Sequence, residues 1–352
     1  MTVKKTVGNI AGAFLATSIG VVMLLGIAEI GIRLLKTDWR EFDAGTFMTT
    51  TKIRGLPTFS IGRDGYQGRF SQNNGDFRTQ VRINEFGLRN DEPLSAAQNR
   101  VWIVGDSMTF GWGVEREETF GAVLQQLSGR STYSVASPGC NICGYHALIA
   151  RMPSDLKPSG VVLGLVLEND IRTYDCLAEG KAEDENPAAG DDSHLSSVMQ
   201  VKVWLTGHSA VYNLVTASAK RVPALTEGLI TLGLVNRPHA DHQVAASSPR
   251  PEEVASSANE IDLLRQRLPE GTPFVVLVAP GRAELANGDP YYRLLRQKMT
   301  TALAERHIDV IDMHSTFAVA GFAPTHFAHD GHWTALGHRL AGQALADWFA
   351  RH

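Results

Sequence analysis

The chain has 352 residues, 43% hydrophobic and 20% charged, with a formal net charge of −4. That length suits one large domain or two modest ones, and the composition is that of an ordinary globular protein. The mildly acidic balance gives no reason to expect nucleic acid as a partner, because phosphate binding needs a basic face. Three cysteines, Cys140, Cys143 and Cys176, are too few for a disulfide scaffold.

From Val7 to Ala28 there is no charged residue, 22 positions in all. At ~1.5 Å per residue this is about enough to cross a hydrocarbon layer of ~30 Å. Lys4 and Lys5 precede the run; Arg33, Lys36 and Arg40 follow it. The expectation is a transmembrane anchor over residues 1–36. A cleaved signal peptide is the rival reading. However, no persuasive small-x-small site leads into a polar start, and Ala28-Glu29-Ile30-Gly31-Ile32-Arg33 reads as a helix continuing. No cysteine near the end of the run offers a lipid attachment point. The flanking charges leave the orientation open.

Residues 37–99 are rich in Gly, Asn, Arg and Thr, with short alternating pieces such as Gln80-Val81-Arg82-Ile83-Asn84. They read as an irregular strand-and-turn subdomain between anchor and core. Beyond residue 100, apolar runs alternate with helical patterns. Val101–Val104, Tyr133–Ala136, Val161–Leu167, Phe274–Ala279 and Ile308–Ile311 read as strands, the third as a central strand covered on both faces. Between them fall helices carrying Phe120, Val123, Leu124 and Leu127 (capped by Thr119), then Ile261, Leu264 and Leu268, then Leu294, Leu295, Met299 and Leu303. A last helix from about Thr334 is expected to bury Leu336, Leu340, Leu345 and Trp348. This alternation indicates a parallel sheet with helices on both faces over residues 100–352.

One block, about residues 180–255, breaks that rhythm and reads as a helical insertion over one end of the sheet, a candidate lid. Glu179–Ser193 is acidic and poor in apolar residues, hence a mobile loop; Leu195 to about Val235 reads as one or two helices; His239–Ser257 returns to loop composition.

In an open parallel sheet ligands bind beyond the carboxyl ends of the strands. The first strand delivers Gly105-Asp106-Ser107 to such an end. A serine there, on a tight turn into a helix, is exposed beside free N–H groups able to hold an anion. Gly, Asp and Ser are also ordinary turn and cap residues, so the tripeptide alone is weak. An Asn-Asp pair, Asn169-Asp170, ends the apolar run at Leu167 and would place a fixed dipole at the same edge. Near the C-terminus lies His329-Asp330-Gly331-His332-Trp333, followed by His338. His326, His329 and His338 read as structural. His326, His329, Asp330 and His332 lack a helical or hairpin metal-ligand spacing, so neither a metal nor another cofactor is expected.

Ile103-Val104-Gly105-Asp106-Ser107-Met108-Thr109-Phe110-Gly111-Trp112-Gly113-Val114 resembles the first block of the SGNH/GDSL hydrolase superfamily, especially its bacterial membrane-anchored members. Asn84-Glu85-Phe86-Gly87-Leu88-Arg89 looks like the Asn-x-x-Gly-x-Arg element those members carry upstream. Ser137-Pro138-Gly139 resembles the second block, with Gly144 as an alternative for its glycine. Leu167-Glu168-Asn169-Asp170 resembles the third, Gly-x-Asn-Asp, with Leu167 in place of glycine. The resemblance runs from Asn84 to the C-terminus and covers the insertion poorly. It implies a three-layer α/β/α, flavodoxin-like sheet with Ser107 as nucleophile, His332 as general base and Asp330 as its orienting acid. The N–H of Ser107, the N–H of Gly139 and the side-chain amide of Asn169 would form the oxyanion hole. The family's usual spacing is Asp-x-x-His, while here one residue separates Asp330 from His332.

The residue types suit acyl transfer. A serine hydroxyl needs a base, and imidazole supplies one at neutral pH. The first expectation is an esterase removing acyl groups, acetyl foremost, from a carbohydrate or another envelope ester. The second is an acyltransferase in which a sugar hydroxyl replaces water. The third, a non-catalytic glycan-binding scaffold, is disfavoured by the intact Ser, Asn and Asp-x-His set. The expected site is the inner membrane, with the catalytic part outside the cytoplasm. In that oxidising setting a disulfide among Cys140, Cys143 and Cys176 is the favoured state; the oligomeric state is open.

Overall fold

The computed structural model describes residues 2–72, 75–186, 197–231 and 248–352. The chain begins with one long helix, α1 (Thr2–Leu35). Its segment Ala16–Leu35 is apolar enough to cross a membrane, with a mean hydropathy of 2.0, and none of it is buried within the protein. Two antiparallel hairpins follow, β1 (Met48–Thr51) with β2 (Phe59–Gly62), and β3 (Gln67–Ser71) with β4 (Arg78–Arg82). Their apolar side chains form a small core of Phe47, Phe70, Phe77, Val81 and Ile83 that closes on Phe110 and Ala136 of the main domain.

The main domain holds a five-stranded parallel sheet: β5 (Val101–Gly105), β6 (Thr132–Ala136), β7 (Gly160–Val166), β8 (Phe274–Ala279) and β9 (Asp309–Asp312). The spatial order is β6-β5-β7-β8-β9, the doubly wound order in which the first strand lies between the second and third. Every residue of β5, β7 and β8 is buried. This is why those segments read as unbroken apolar runs: both faces are covered.

Short helix α2 (Ser107–Phe110) follows β5, then α3 (Phe120–Ser128), α4 (Ile142–Arg151), α5 (Leu167–Asp170) and α6 (Cys176–Glu185). The insertion contributes α7 (Ser197–His208), α8 (Ala210–Lys220) and α9 (Pro223–Thr231). The chain returns through α10 (Pro251–Gln266), α11 (Arg282–Asn287), α12 (Pro290–Ala304), α13 (His314–Ala320), α14 (Phe322–Thr325) and α15 (Ala335–Phe349). One face of the sheet, through Trp102, Val104, Leu163 and Val276, packs on α4, α10 and α12. The other, through Val101, Ile103, Val162 and Leu277, packs on α3, α13 and α15. The architecture is therefore the three-layer α/β/α arrangement expected from the sequence.

Four local expectations need correction. Residues Glu179–Glu185 are helical, as part of α6, and not loop. That helix has little apolar face, but Glu183 and Asp184 accept hydrogen bonds from the N–H groups of Thr58 and Gly55 and pair with Lys52. Its stability comes from docking on the hairpin segment. The loop expected up to Ser257 ends earlier, because α10 starts at Pro251; residues 187–196 and 232–247 lie outside the described residues. On α15 Leu345 and Trp348 are buried as expected, but in the first turns the buried residues are Gly337, His338 and Ala341, leaving Leu336 and Leu340 half-buried. On α3, Leu127 is exposed.

The Asn84–Arg89 element has a structural task. Asn84 Oδ1 accepts the N–H groups of Phe86 and Leu88, and its amide donates to the Tyr133 hydroxyl at 2.7 Å. The buried Arg89 guanidinium donates to the carbonyls of Phe110, Gly111, Gln80 and Val114 at 2.6–3.1 Å. Burial lowers its pKa to about 10, so it remains a cation at neutral pH, set at the carboxyl end of α2 where a helix favours positive charge. Arg89 thus ties the hairpins to the helix that carries Ser107.

Cys143 of α4 and Cys176 at the start of α6 form a disulfide, and Cys140 is a buried free thiol. The bridged positions are 33 apart in sequence, and the segment between them contains β7 and Asn169. Closing a loop of that length is worth about 4 kcal/mol of lost unfolded-state entropy in the chain-entropy picture.

Candidate active site

Strand β5 and its two neighbours end side by side, and their carboxyl ends form the crevice at which the strand order reverses. Ser107 follows β5, Gly139 follows β6, and Asn169 follows β7. The approach of β5 to this edge depends on Gly105, where a Cβ atom would fall 2.1 Å from Thr109 Oγ1. Only a glycine lets α2 turn this sharply off the strand.

Ser107 is the first residue of α2, with Asp106 as its cap: Asp106 Oδ1 accepts the Met108 N–H at 2.9 Å. The other oxygen, Oδ2, accepts from Asn169 Nδ2 at 2.9 Å. Burial raises the pKa of Asp106, and the Asn169 hydrogen bond partly opposes the rise. An amide nitrogen carries two hydrogens. Asp106 takes one and fixes the plane of the amide, and the second is available at the crevice, where Asn169 is exposed.

The departure at Leu167 has a physical reason. Its side chain is buried in the main core and not directed at the crevice. The same turn is held from both sides. Glu168 accepts the Arg282 N–H at 2.6 Å and forms an ion pair with its guanidinium. Asp170 accepts from Val166 N–H and the Tyr145 hydroxyl at 2.7 and 2.9 Å, and burial raises its pKa well above the carboxylate range.

Gly139 lies exposed in the turn between β6 and α4. Its alternative, Gly144, is buried in the first turn of α4, and its N–H already donates to Asn141 Oδ1 at 3.3 Å. That engagement favours Gly139 as the free donor.

His332 reaches the crevice from a tight loop before α15, closed by a bridge between His326 and Trp333 and by Phe327 N–H to His332 O at 2.8 Å. The ring Nε2 lies 2.7 Å from Ser107 Oγ. Nδ1 forms a short hydrogen bond with Asp330 Oδ1, which also accepts the His332 N–H at 3.3 Å. The one-residue spacing works because Gly331 adopts φ +79°, the left-handed region, and turns His332 back over its neighbour. Burial would raise the Asp330 pKa, but the facing imidazole and the hydrogen bonds to it pull the carboxyl below its usual value. Trp112 lies beside the ring, with centroids 5.9 Å apart.

Sequence reasoning missed two residues that hold this loop. Gln72 Nε2 donates to Asp330 Oδ2 at 2.6 Å. Asp76 accepts the N–H groups of His329 and Asp330 at 2.9 and 2.8 Å, and its other oxygen meets His329 Nδ1 at 2.7 Å. Both come from the β3–β4 connection, so the small hairpin core and the His–Asp loop form one structure. No sequence pattern marks them: in a stretch of Gln, Asn, Gly and Asp they read as turn residues.

The other histidines have structural surroundings. His338 Nδ1 accepts the Phe120 N–H at 3.2 Å, at the start of α3. Burial lowers the pKa of both His338 and His326 to about 3. With folded values below the unfolded 6.5, their contribution is complete above pH 6.5 and lost as pH falls from there towards 3. Ring 15N shifts of these two residues should stay flat from pH 8 to 5; a titration near 6.5 would show that they are not buried as described. His146, Cys176 and Glu260 come together elsewhere, but the Cys176 sulfur is committed to the disulfide.

Replacing Asn169 by Ala should lower kcat with little change in KM if its amide meets a developing oxyanion, by about 3 kcal/mol of barrier. A variant that melts earlier but turns over normally per folded molecule would make Asn169 a cap alone.

No protein-family model matches the chain, and it matches no curated protein. Solved structures do resemble it. A lipolytic protein of the G-D-S-L family from Veillonella parvula is 13% identical, covering 72% of this chain and 99% of its own, with a TM-score of 0.39. A carbohydrate esterase family 2 enzyme with a carbohydrate-binding domain, from Corynascus thermopiles, is 13% identical over 72% of this chain and 66% of its own, TM-score 0.41. The M. smegmatis aryl esterase is 14% identical over 72% and 99%, TM-score 0.34. These three neighbours are thus described as a G-D-S-L-family protein and two esterases.

Proposed function

We propose that the chain is a serine esterase of the SGNH type, acting on O-acetyl or similar esters of a carbohydrate through an acyl-serine intermediate. The observation that carries this reading is the unbroken relay Ser107–His332–Asp330 at the carboxyl edge of the sheet. Ser107 Oγ attacks the ester carbonyl while His332 Nε2 takes its proton. Asp330 fixes the tautomer with Nδ1–H directed to itself and stabilises the imidazolium. The carbonyl oxygen becomes an oxyanion held by the N–H of Ser107, the N–H of Gly139 and the amide of Asn169. His332 returns the proton to the departing alkoxide, and the alcohol leaves. Water then attacks the acyl-serine along the same path in reverse, releasing the acid.

The apolar α1 supports anchoring in a membrane, and the Cys143–Cys176 disulfide supports a catalytic domain in an oxidising compartment, outside the cytoplasm. The test is turnover of p-nitrophenyl acetate, with and without an oligosaccharide acceptor. Release of acetate supports the esterase. Acetyl appearing on the acceptor, with little free acetate, identifies an acyltransferase that uses the same intermediate. No turnover under either condition overturns the proposal.

A further inference from the structure

The 22 uncharged residues of α1 end at Ala28, and the next residue, Glu29, is not exposed to serve solvent. Its carboxylate caps another helix. It accepts the N–H groups of Ala210 and Val211 at 2.8 and 2.9 Å and the Ser209 hydroxyl at 3.1 Å, all at the start of α8. Arg33, one turn on, pairs with Glu29 at 2.7 Å and donates to the last carbonyl of α7, His208 O, also at 2.7 Å. The insertion is therefore fastened to α1 at the level where the apolar run gives way to charge.

The insertion's own surface does not suit water. Helix α7, SVMQVKVWLTGH, has apolar residues on several sides, a pattern that belongs to buried or membrane-embedded helices. Yet Val201, Val203 and Trp204 are 55–59% exposed, and Val215 of α8 and Leu225 of α9 are 59% and 53% exposed. On α1 beside them, Ile30, Leu34 and Leu35 are 61%, 76% and 91% exposed. The uncovered apolar surface of the insertion thus continues the uncovered apolar surface of the anchor. A tryptophan at such a level is the side chain favoured at a membrane–water boundary.

We infer that α7–α9 rest on the bilayer surface next to α1, with Val201, Trp204 and Val215 in the layer between headgroups and acyl chains. The occupant of this face is lipid, because the face adjoins a helix long and apolar enough to cross a membrane. The inference rests on the anchor reading of α1 and not on the esterase reading. It also gives the active site a fixed relation to the membrane: at the far end of α8, the Arg221 side chain packs on Gly75, beside the Asp76 that cradles the His–Asp loop.

Spin labels test this in the full-length protein reconstituted in phosphatidylcholine–phosphatidylglycerol vesicles. Single cysteines would be introduced at Val215, Leu24 and the exposed Gln126 of α3, and collisions measured with oxygen, which favours lipid, and with a water-soluble nickel chelate. The expected oxygen-to-nickel ratio is severalfold higher at positions 215 and 24 than at 126. A lipid ratio at 24 with a water ratio at 215 overturns the inference while keeping the anchor. Low collision with both reagents at 215 means a protein covers the face, a second copy or another partner, and also overturns it. A water ratio at 24 removes the anchor reading and the inference with it.

Discussion

Ser107→Ala and His332→Ala should each reduce hydrolysis of p-nitrophenyl acetate by ~10³-fold or more, with thermal stability preserved. Ser107 Oγ and His332 Nε2 sit 2.7 Å apart, the separation over which a proton passes directly between them. Groups that act as one unit lose their effect together, so the double variant should be little worse than either single one. A fluorophosphonate probe, which traps an activated serine, should label the wild-type chain and fail on Ser107→Ala. Both replacements sit at the crevice mouth and remove no core packing, so a cooperative melt near the wild-type temperature is part of the expected result. Unchanged turnover in either folded variant would dismiss the assignment of nucleophile and base.

Asp330→Asn should cost the next largest factor. In serine proteases the equivalent change presents the wrong imidazole tautomer and costs ~10⁴-fold in kcat. Here Asp330 meets His332 Nδ1 through one oxygen and Gln72 through the other. Hydrogen bonds to a charged group contribute about 1.5–3 kcal/mol, so Gln72→Ala should reduce kcat by roughly ten- to a hundredfold while KM holds. Gln72→Glu should do more harm than Gln72→Ala, because it sets a second carboxylate against Asp330. If Asp330→Asn kept nearly full activity while His332→Ala had none, the working unit would be a Ser–His dyad. If Gln72→Glu matched wild type, the hairpin would have no part in orienting Asp330.

What could be read from the sequence was whatever is encoded over short distances. Val101–Val104 and Phe274–Ala279 declare themselves as buried strands by unbroken apolar content, and a strand end carries Ser107 to the functional edge by topology alone. The Thr119 cap was equally local: its hydroxyl accepts the Ala122 N–H. What escaped depends on partners far along the chain. Gln72 and Asp330 are 258 positions apart, and nothing in either neighbourhood announces the other. Helix α6 was mistaken for a loop because pattern reading weighs an apolar face, whereas this helix is held by carboxylates placed on Lys52, Gly55 and Thr58. On α15 Leu345 and Trp348 were read correctly, while Leu336 and Leu340 in the first turns were not. Small residues, Gly337, Ala341 and Gly342, face the protein there, and Gly342 lies so near Val123 that a Cβ would fall 2.6 Å from it. Close helix approach selects for small side chains, which carry almost no hydrophobic signal.

The third cysteine gives the disulfide a kind of chemical memory. Thiol–disulfide exchange requires a thiolate, and burial pushes Cys140 up to about 12. At neutral pH the protonated thiol prevails. In the folded chain Cys140 is therefore almost silent towards the Cys143–Cys176 bond, although it is only three residues from Cys143. Once the chain opens, that restraint vanishes and all three sulfurs compete for partners. The pairing is thus decided while the chain folds and then kept for as long as it stays folded. Cys140→Ser would leave one possible pair, so recovery after unfolding in oxidant would no longer depend on which two sulfurs met first.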